Sequence, residues 1–422
     1  MKSNAGKVQL WILFLSIFMP NLFNIRLIGM NLTFGRTVLI VLLLLCLYRE
    51  EGKIVFRNRL ETVCMVFFCC WVLYGILLMA LNGSVHKEGL KEITNIFMGA
   101  MTVYCTLRLI GESGEMLGYS IEILRKLVAV CILVGIFETI SGEHLRSSCF
   151  NDPAYIYALT QRYGSVNMYQ ATGFQYGTND FCSFLVFFFP VFLLKRKGKV
   201  FDYLMIGAIA VICAVNSSTL CLLTLILGTS YFFLKEKQIK PQNVFKILAI
   251  LPVLYVAWKW LQYSYGNSFS LMADLKNHLD NYLARGGSSY SRFWTYIKSL
   301  ALAADTYFVG LGPANFTAYV AANPAKEMLL NPHNLWLEIF TEYGIMILVF
   351  YVVFLSTLFC KAGDIYKKSG VQRVFLIRVM LIDYIIVGIV PSTFISYLYQ
   401  WILLALGIAI VKIHGIKRRR NW

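Results

Sequence analysis

The amino-acid sequence predicts an all-α, polytopic membrane protein. About twelve transmembrane helices are expected, with a large helical extracytoplasmic loop between the ninth and tenth. Three observations carry this. The chain is 58% hydrophobic and only 14% charged over 422 residues, with a mean hydropathy of +0.64. That is more apolar sequence than a soluble core absorbs. The apolar residues fall into runs long enough, or nearly so, to cross about 30 Å of hydrocarbon. The basic residues gather in alternate connections between those runs.

Taken in order, the runs lie near 8–25, 34–48, 62–81, 93–110, 126–142, 178–195, 200–215, 217–234, 245–262, 339–360, 374–391 and 393–411. The first lacks a small-residue cleavage site and is followed at once by another, so it reads as a span and not as a removable signal. The inside connections carry Arg49, Lys53, Arg57 and Arg59, then Arg108, Arg125 and Lys126, then Lys195, Arg196, Lys197 and Lys199. Lys235, Lys237, Lys240 and Lys246 follow, then Lys361, Lys367, Lys368 and Arg373, and the tail ends in Lys417, Arg418, Arg419 and Arg420. This positive-inside pattern places both termini in the cytoplasm. The net charge of +17 is therefore topological, and a nucleic-acid partner is not implied. Of the 11 cysteines only Cys149 falls in an outer loop, so the outer loops are not disulfide-stapled. No Cys/His cluster has metal-ligand spacing, and no metal or cofactor is expected.

With no internal repeat or low-complexity linker, residues 1–422 read as a single integral membrane domain containing two long outer segments. The first is residues 143–177. The second, residues 263–338, is the largest non-spanning piece and is read as ordered. Met272, Leu275, Leu279 and Leu283 recur at helical spacing, as do Phe293, Ile297, Leu300 and Ala301 after Ser291. Two amphipathic helices are expected there, packed as a roof over a cavity. Gly286-Gly287 separates them, and Gly310-Leu311-Gly312-Pro313 ends the second.

The chemistry concentrates in Asn331–Gly344, where the second loop re-enters the apolar sequence. Asn331 is read as an N-cap and Pro332 as the first helical residue, so the free N–H groups of that helix suit a phosphate. His333 is then either a general base, neutral near physiological pH, or a solvated cap residue. Asn334, Glu338 and Glu342 share one stripe at i, i+4 and i+8. Two carboxylates at that depth favour the functional reading of His333. The acids either take part directly or hydrogen-bond backbone and pair with arginines. Four outer arginines run against the charge trend: Arg146 and Arg162 in the first loop, Arg285 and Arg292 in the second. Their planar forks match phosphate oxygens, although a surface arginine is often only a solvated charge. Glu138, Lys259, Arg378 and Asp383 within the spans line a proton path, snorkel, or pair between helices.

By these residues the chain resembles the bacterial O-antigen polymerase and ligase family, which includes Wzy-type capsule and exopolysaccharide polymerases. The stronger match is His333-Asn334 followed by Glu338, Glu342-Tyr343-Gly344 and an apolar span. It comes after a loop holding Arg292, Trp294, Gly310-Leu311-Gly312 and Phe316. The weaker match is Gly173–Phe181, with Asn179 entering a helix that contains Pro190. Two departures stand out. Gln170 occupies a place where the family often has arginine, and no arginine stands near Asn216-Ser217-Ser218-Thr219.

The resemblance implies a GT-C-like membrane fold in the bacterial cytoplasmic membrane. It also implies metal-independent, inverting glycosyl transfer on the outer leaflet. A polyprenyl-diphosphate-linked glycan would be donor, a second lipid-linked repeat the acceptor, and membrane lipid, a flippase and a chain-length regulator the further partners. His333 would be base or positioner, with Glu338 and Glu342 orienting it. Arg292, with Arg162 or Arg285, would neutralise the diphosphate, and Asn334 and Asn179 would contact substrate. The missing arginine tilts the reading toward polymerase. The alternatives are an O-antigen ligase moving finished glycan and, from another class, a lipid-linked oligosaccharide flippase. A flippase of transporter type would show two similar halves and a cytoplasmic central loop.

Overall fold

The computed structural model describes residues 2–20, 24–27, 30–83, 85–163, 166–194, 199–235, 288–323, 329–391 and 393–420. The expected ninth span, the helix at 269–284, Lys259 and Arg285 lie outside them. The described chain is helical: α1 (Lys2–Phe18), α2 (Phe34–Arg49), α3 (Arg59–Leu81), α4 (Lys87–Ile110), α5 (Gly114–Ser141), α6 (Pro153–Tyr163) and α7 (Thr178–Phe188) come first. There follow α8 (Lys199–Val215), α9 (Thr219–Lys235), α10 (Ser288–Asp305), α11 (Asn315–Ala322), α12 (Leu335–Ser369), α13 (Gln372–Val387) and α14 (Tyr399–Arg420). Short 3-10 turns sit at Cys149–Asn151 and Phe189–Phe192.

Among the described residues, three helices are long and apolar enough to cross a membrane: α3, α4 and α12. Shorter apolar helices coincide with several other expected runs, including 4–18, 178–192, 200–215, 219–233 and 399–414. One departure from an all-α chain is a small antiparallel hairpin, β1 (Asn24–Leu27) against β2 (Met30–Thr33), with Asn24 opposite Thr33. It falls where the first run was expected to finish, so α1 ends earlier than apolarity alone suggests.

Local chemistry sets the helix ends. Asn58 caps α3, its side chain accepting from the Leu60 N–H at 3.0 Å. His86 caps α4, where the Gly89 N–H donates to Nδ1 at 3.0 Å. Gly370 takes the left-handed conformation that ends α12.

The chain forms two compact units. The first comprises residues 1–124, 291–381 and 392–422. Its centre is aromatic: Trp71 meets Tyr343 edge-on at 5.5 Å, and Phe68 meets Trp401 at 5.0 Å. Gly99 lies against the Trp401 indole, where a Cβ would come within 2.6 Å of Nε1. The second unit comprises residues 125–290 and 382–391. Phe187 packs edge-on to Phe188 at 4.7 Å and to Tyr384 at 5.7 Å.

Three expectations for intramembrane charges resolve here. Glu138 is buried and folds the loop before α7: it accepts from the N–H groups of Leu145 at 3.1 Å, Thr172 at 2.7 Å and Gly173 at 2.6 Å. Three backbone donors on one carboxylate make it a structural hub of the second unit. Arg378 lies 4.2 Å from the Phe359 ring centroid. Asp383 is buried against Gly228, and neither oxygen has a hydrogen-bond partner among the described residues.

The feature that places the candidate site is a break in α12. Gly344 has φ 75° and ψ 179°, which interrupts the helix. The backbone of residues 308–312 lies alongside that interruption. Leu311 N–H donates to Thr341 O at 2.9 Å, Gly312 N–H to Glu342 O at 2.9 Å, and Ile345 N–H to Phe308 O at 3.0 Å. An interrupted helix in apolar surroundings persists only where other protein groups satisfy the freed backbone, and these three bonds do so. Close approach requires glycine at both sides. A Cβ on Gly344 would lie 2.2 Å from Val309 O, and one on Gly310 would lie 2.7 Å from Glu342 O. Gly344→Ala is therefore expected to destabilise the protein by more than about 3 kcal/mol, from the positive φ and the clash together. Thermal melting of the detergent-solubilised protein would register it.

Candidate functional site

The break leaves residues 335–343 as a short helix of its own in the first unit, and His333 stands just before it. The expected start, with Asn331 as N-cap and Pro332 as first helical residue, is three residues too early. The N-cap is Asn334, whose side-chain oxygen accepts from Trp336 N–H at 3.0 Å and Leu337 N–H at 3.3 Å. Asn331 instead accepts from the Thr317 hydroxyl at 2.8 Å. The reason is the conformation of His333: its φ of 51° lies in the left-handed region and cannot belong to a helix. Such a conformation in a non-glycine residue costs about 1–3 kcal/mol and persists only where its surroundings hold it. Here the Tyr296 hydroxyl donates to the His333 carbonyl at 3.3 Å.

The His333 imidazole is half-buried rather than standing free at the surface. Its Nδ1 has no hydrogen-bond partner among the described residues. Burial first, and then the positive charge of Arg292, hold its pKa down to about 4. The ring is thus neutral throughout the physiological range, as a proton acceptor must be. Tyr296, in the same neighbourhood, has its phenol pushed up by burial and is hydrogen-bonded by Asn334. Arg292, His333, Tyr296 and Asn334 are therefore brought together.

The acids are not part of that group. Glu338 is buried and accepts from the Thr393 hydroxyl and from the Phe394 N–H at 3.3 Å. Glu342 is buried and hydrogen-bonded to Glu92, which also accepts from the Tyr343 phenol at 2.6 Å. The expectation that Glu338 and Glu342 orient His333 gives way to this arrangement: the stripe faces α4 and the segment before α14. Glu92 itself drew no attention in the sequence. It lies in the second turn of α4, far from residue 342 along the chain, and a lone glutamate there reads as an exposed helix start.

The helix carrying Arg292 is reversed from the expected roof. In α10, Ser291, Thr295 and Ser299 are 4%, 0% and 0% exposed, whereas Phe293, Trp294, Ile297 and Leu300 are 45%, 41%, 42% and 48% exposed. The buried hydroxyls bond back along the helix, Thr295 to Ser291 O at 2.7 Å and Ser299 to Thr295 O at 2.8 Å. Thr295 Oγ1 also accepts from the Leu329 N–H at 2.9 Å. The inward side of α10 is thus made of these hydroxyl residues, with Leu302 and Ala303 buried at its end, and the four apolar residues lie on the outward side.

Asn179 and Arg162 belong to the second unit. Asn179 is half-buried in the first turn of α7, and Arg162 lies near the end of α6. In that unit lies Asn216, the first residue of the stretch 216–219 that carries no arginine. Its Oδ1 accepts from Ala171 N–H at 2.8 Å and its Nδ2 donates to Ala171 O at 2.7 Å. This ties the turn before α9 to the loop that follows Gln170.

Because Arg292 contributes to the low pKa of His333, Arg292→Gln should raise it toward the ordinary imidazole value. The pH dependence of His333 carbethoxylation by diethyl pyrocarbonate, read by peptide mass spectrometry, would show the midpoint moving up from about 4.

Comparison with known proteins bears on the same residues. Residues 184–352 match the family model described as O-Antigen ligase. The chain is also 22% identical over 373 residues, covering 85% of this chain and 72% of the relative, to the teichuronic acid biosynthesis protein TuaE of Bacillus subtilis (strain 168). The matched region takes in Arg292, His333, Glu338, Glu342 and the break at Gly344, and residues 184–352 carry an O-antigen ligase family domain.

Proposed function

We propose that this protein is a polysaccharide polymerase. It would join polyprenyl-diphosphate-linked oligosaccharide repeats on the outer face of the bacterial cytoplasmic membrane, with both termini inside. The observation that carries the reading is the neutral His333, held in a left-handed conformation beside Arg292, with Nδ1 unpartnered among the described residues. In the proposed reaction, an acceptor hydroxyl gives its proton to the imidazole as its oxygen attacks the anomeric carbon of the donor. The bond to the diphosphate oxygen breaks on the opposite face, so configuration inverts, and the polyprenyl diphosphate leaves with the electron pair.

Arg292 would receive that diphosphate, its fork matched to phosphate oxygens. The assignment also addresses the weakness of a base whose pKa is about 4, since general bases work best near the operating pH. An anionic diphosphate beside Arg292 offsets the positive charge that depresses His333 and moves the imidazole toward its working range. Asn334 and Tyr296 remain near the imidazole as groups for a sugar hydroxyl. Arg162, Arg285 and Asn179 stand as further substrate contacts on the family resemblance alone.

A synthetic lipid-linked repeat tests the proposal. The wild-type protein should convert it into a ladder of products, and His333→Ala should lower elongation by at least about a hundredfold, the scale of a lost general base, while inserting normally. Full-length polymer from His333→Ala would end the assignment. Chelation with EDTA should leave elongation unchanged, because the leaving group is stabilised by a guanidinium.

A second reading, transfer of finished glycan to an acceptor, is favoured by the description of the matched family. Consumption of preformed polymer in place of single repeats would select it.

A further inference from the structure

Three elements of the first unit meet around one carboxyl group that the proposed reaction does not use. Glu92, half-buried in α4, accepts from the Tyr343 phenol at 2.6 Å and is hydrogen-bonded to Glu342 and to the Ala314 backbone. Tyr343 is fully buried and is the last residue before the break. Ala314, with φ 55°, closes the loop that lies in the break. From the same side, the Asn82 amide donates to Leu311 O at 2.6 Å and the Tyr74 hydroxyl to Val309 O at 2.8 Å. His86 Nε2 lies 2.7 Å from the Asn315 side-chain oxygen. The loop is thus tied to α3 and α4 on one side and to the broken helix on the other.

A helix interrupted at one glycine is free to swing about that glycine unless its end is fixed. Besides the backbone bonds of Thr341 and Glu342 to Leu311 and Gly312, and the Thr341 hydroxyl on Ser299 O at 3.4 Å, two carboxyl contacts hold residues 335–343. One is Glu338 on Thr393 and Phe394, one turn in from the start. The other is Tyr343 on Glu92, at the break itself.

We infer that the Tyr343–Glu92 hydrogen bond is a latch: it fixes the angle of the 335–343 segment, and through it the placement of His333 beside Arg292. Glu92 is on this view a positioning residue, far in sequence from the site it serves. The inference rests on the proposed role of His333 but is read separately from it.

Four variants test it. Tyr343→Phe removes one oxygen from a buried ring and keeps the rest, and Glu92→Leu removes the acceptor. Each should lower kcat by about tenfold or more with KM changed by less than about threefold, because misplacement of a reacting group reduces turnover more than binding. The double variant Tyr343→Phe/Glu92→Leu should fall no further than the worse single, as two ends of one interaction do. Glu92→Gln, whose amide oxygen still accepts from the phenol, should recover activity relative to Glu92→Leu. Independently of turnover, the rate of His333 carbethoxylation in Tyr343→Phe should differ from the parent by about fivefold or more.

A double variant that loses the product of the two single effects overturns the latch, as does a His333 carbethoxylation rate within about twofold of the parent. Should Glu92→Leu fail to fold, Tyr343→Phe decides alone. If His333→Ala goes on polymerising, the base assignment falls while the carbethoxylation rate still judges the latch.

Discussion

Everything at the candidate site depends on backbone pairing between residues 308–312 and the interruption of α12. A continuous helix would carry the stripe of Glu338 and Glu342 straight into the apolar sequence, with His333 projecting along the same axis. Instead Gly344 redirects the chain, and the carbonyls of Thr341 and Glu342 are met by the N–H groups of Leu311 and Gly312. Three such bonds, each worth about 0.5–1.5 kcal/mol net, do not compel a helix to break. What makes the break stable is that both partners are shaped for it. Gly310 and Gly344 allow the two backbones to approach, and an unmet carbonyl in apolar surroundings would cost several kcal/mol.

The polar groups then sort into two sets by what they face. Glu338, Glu342 and Glu92 point toward neighbouring helices and are engaged by hydroxyl, phenol and backbone N–H groups, which fits them for holding geometry. His333, Arg292, Tyr296 and Asn334 gather at the start of the same short segment, where a left-handed residue interrupts the approach to the helix. Strain of that kind is retained where surrounding contacts over-determine it. It gives the imidazole a position that an ordinary cap residue would not have.

Much of this was legible in the chain. Apolar periodicity and length located α3, α8 and α9 to within three residues, because burial in lipid imposes a simple composition; α4 begins six residues before its expected run and α12 ends nine residues after its own. The spacing put Glu338 and Glu342 on one stripe, and both acids are buried. What the chain did not disclose is long-range. Glu92 meets Tyr343 across 251 positions of sequence, and no local pattern marks such a pairing. The N-cap was misplaced because Asn331-Pro332 has the better cap chemistry; a positive φ at His333, which overrides it, has no local signature in a non-glycine residue. The facing of α10 was misread for a different reason. Apolar periodicity reports which residues share a stripe, and in water that stripe packs inward. In α10 that stripe lies on the outward side, with Ser291, Thr295 and Ser299 turned in.

Polymerase and ligase chemistry make the same demands of this first unit. Both need a proton acceptor at the attacking hydroxyl and a cation at the departing diphosphate, and His333 with Arg292 are suited to either. Discrimination must therefore come from how the acceptor is held.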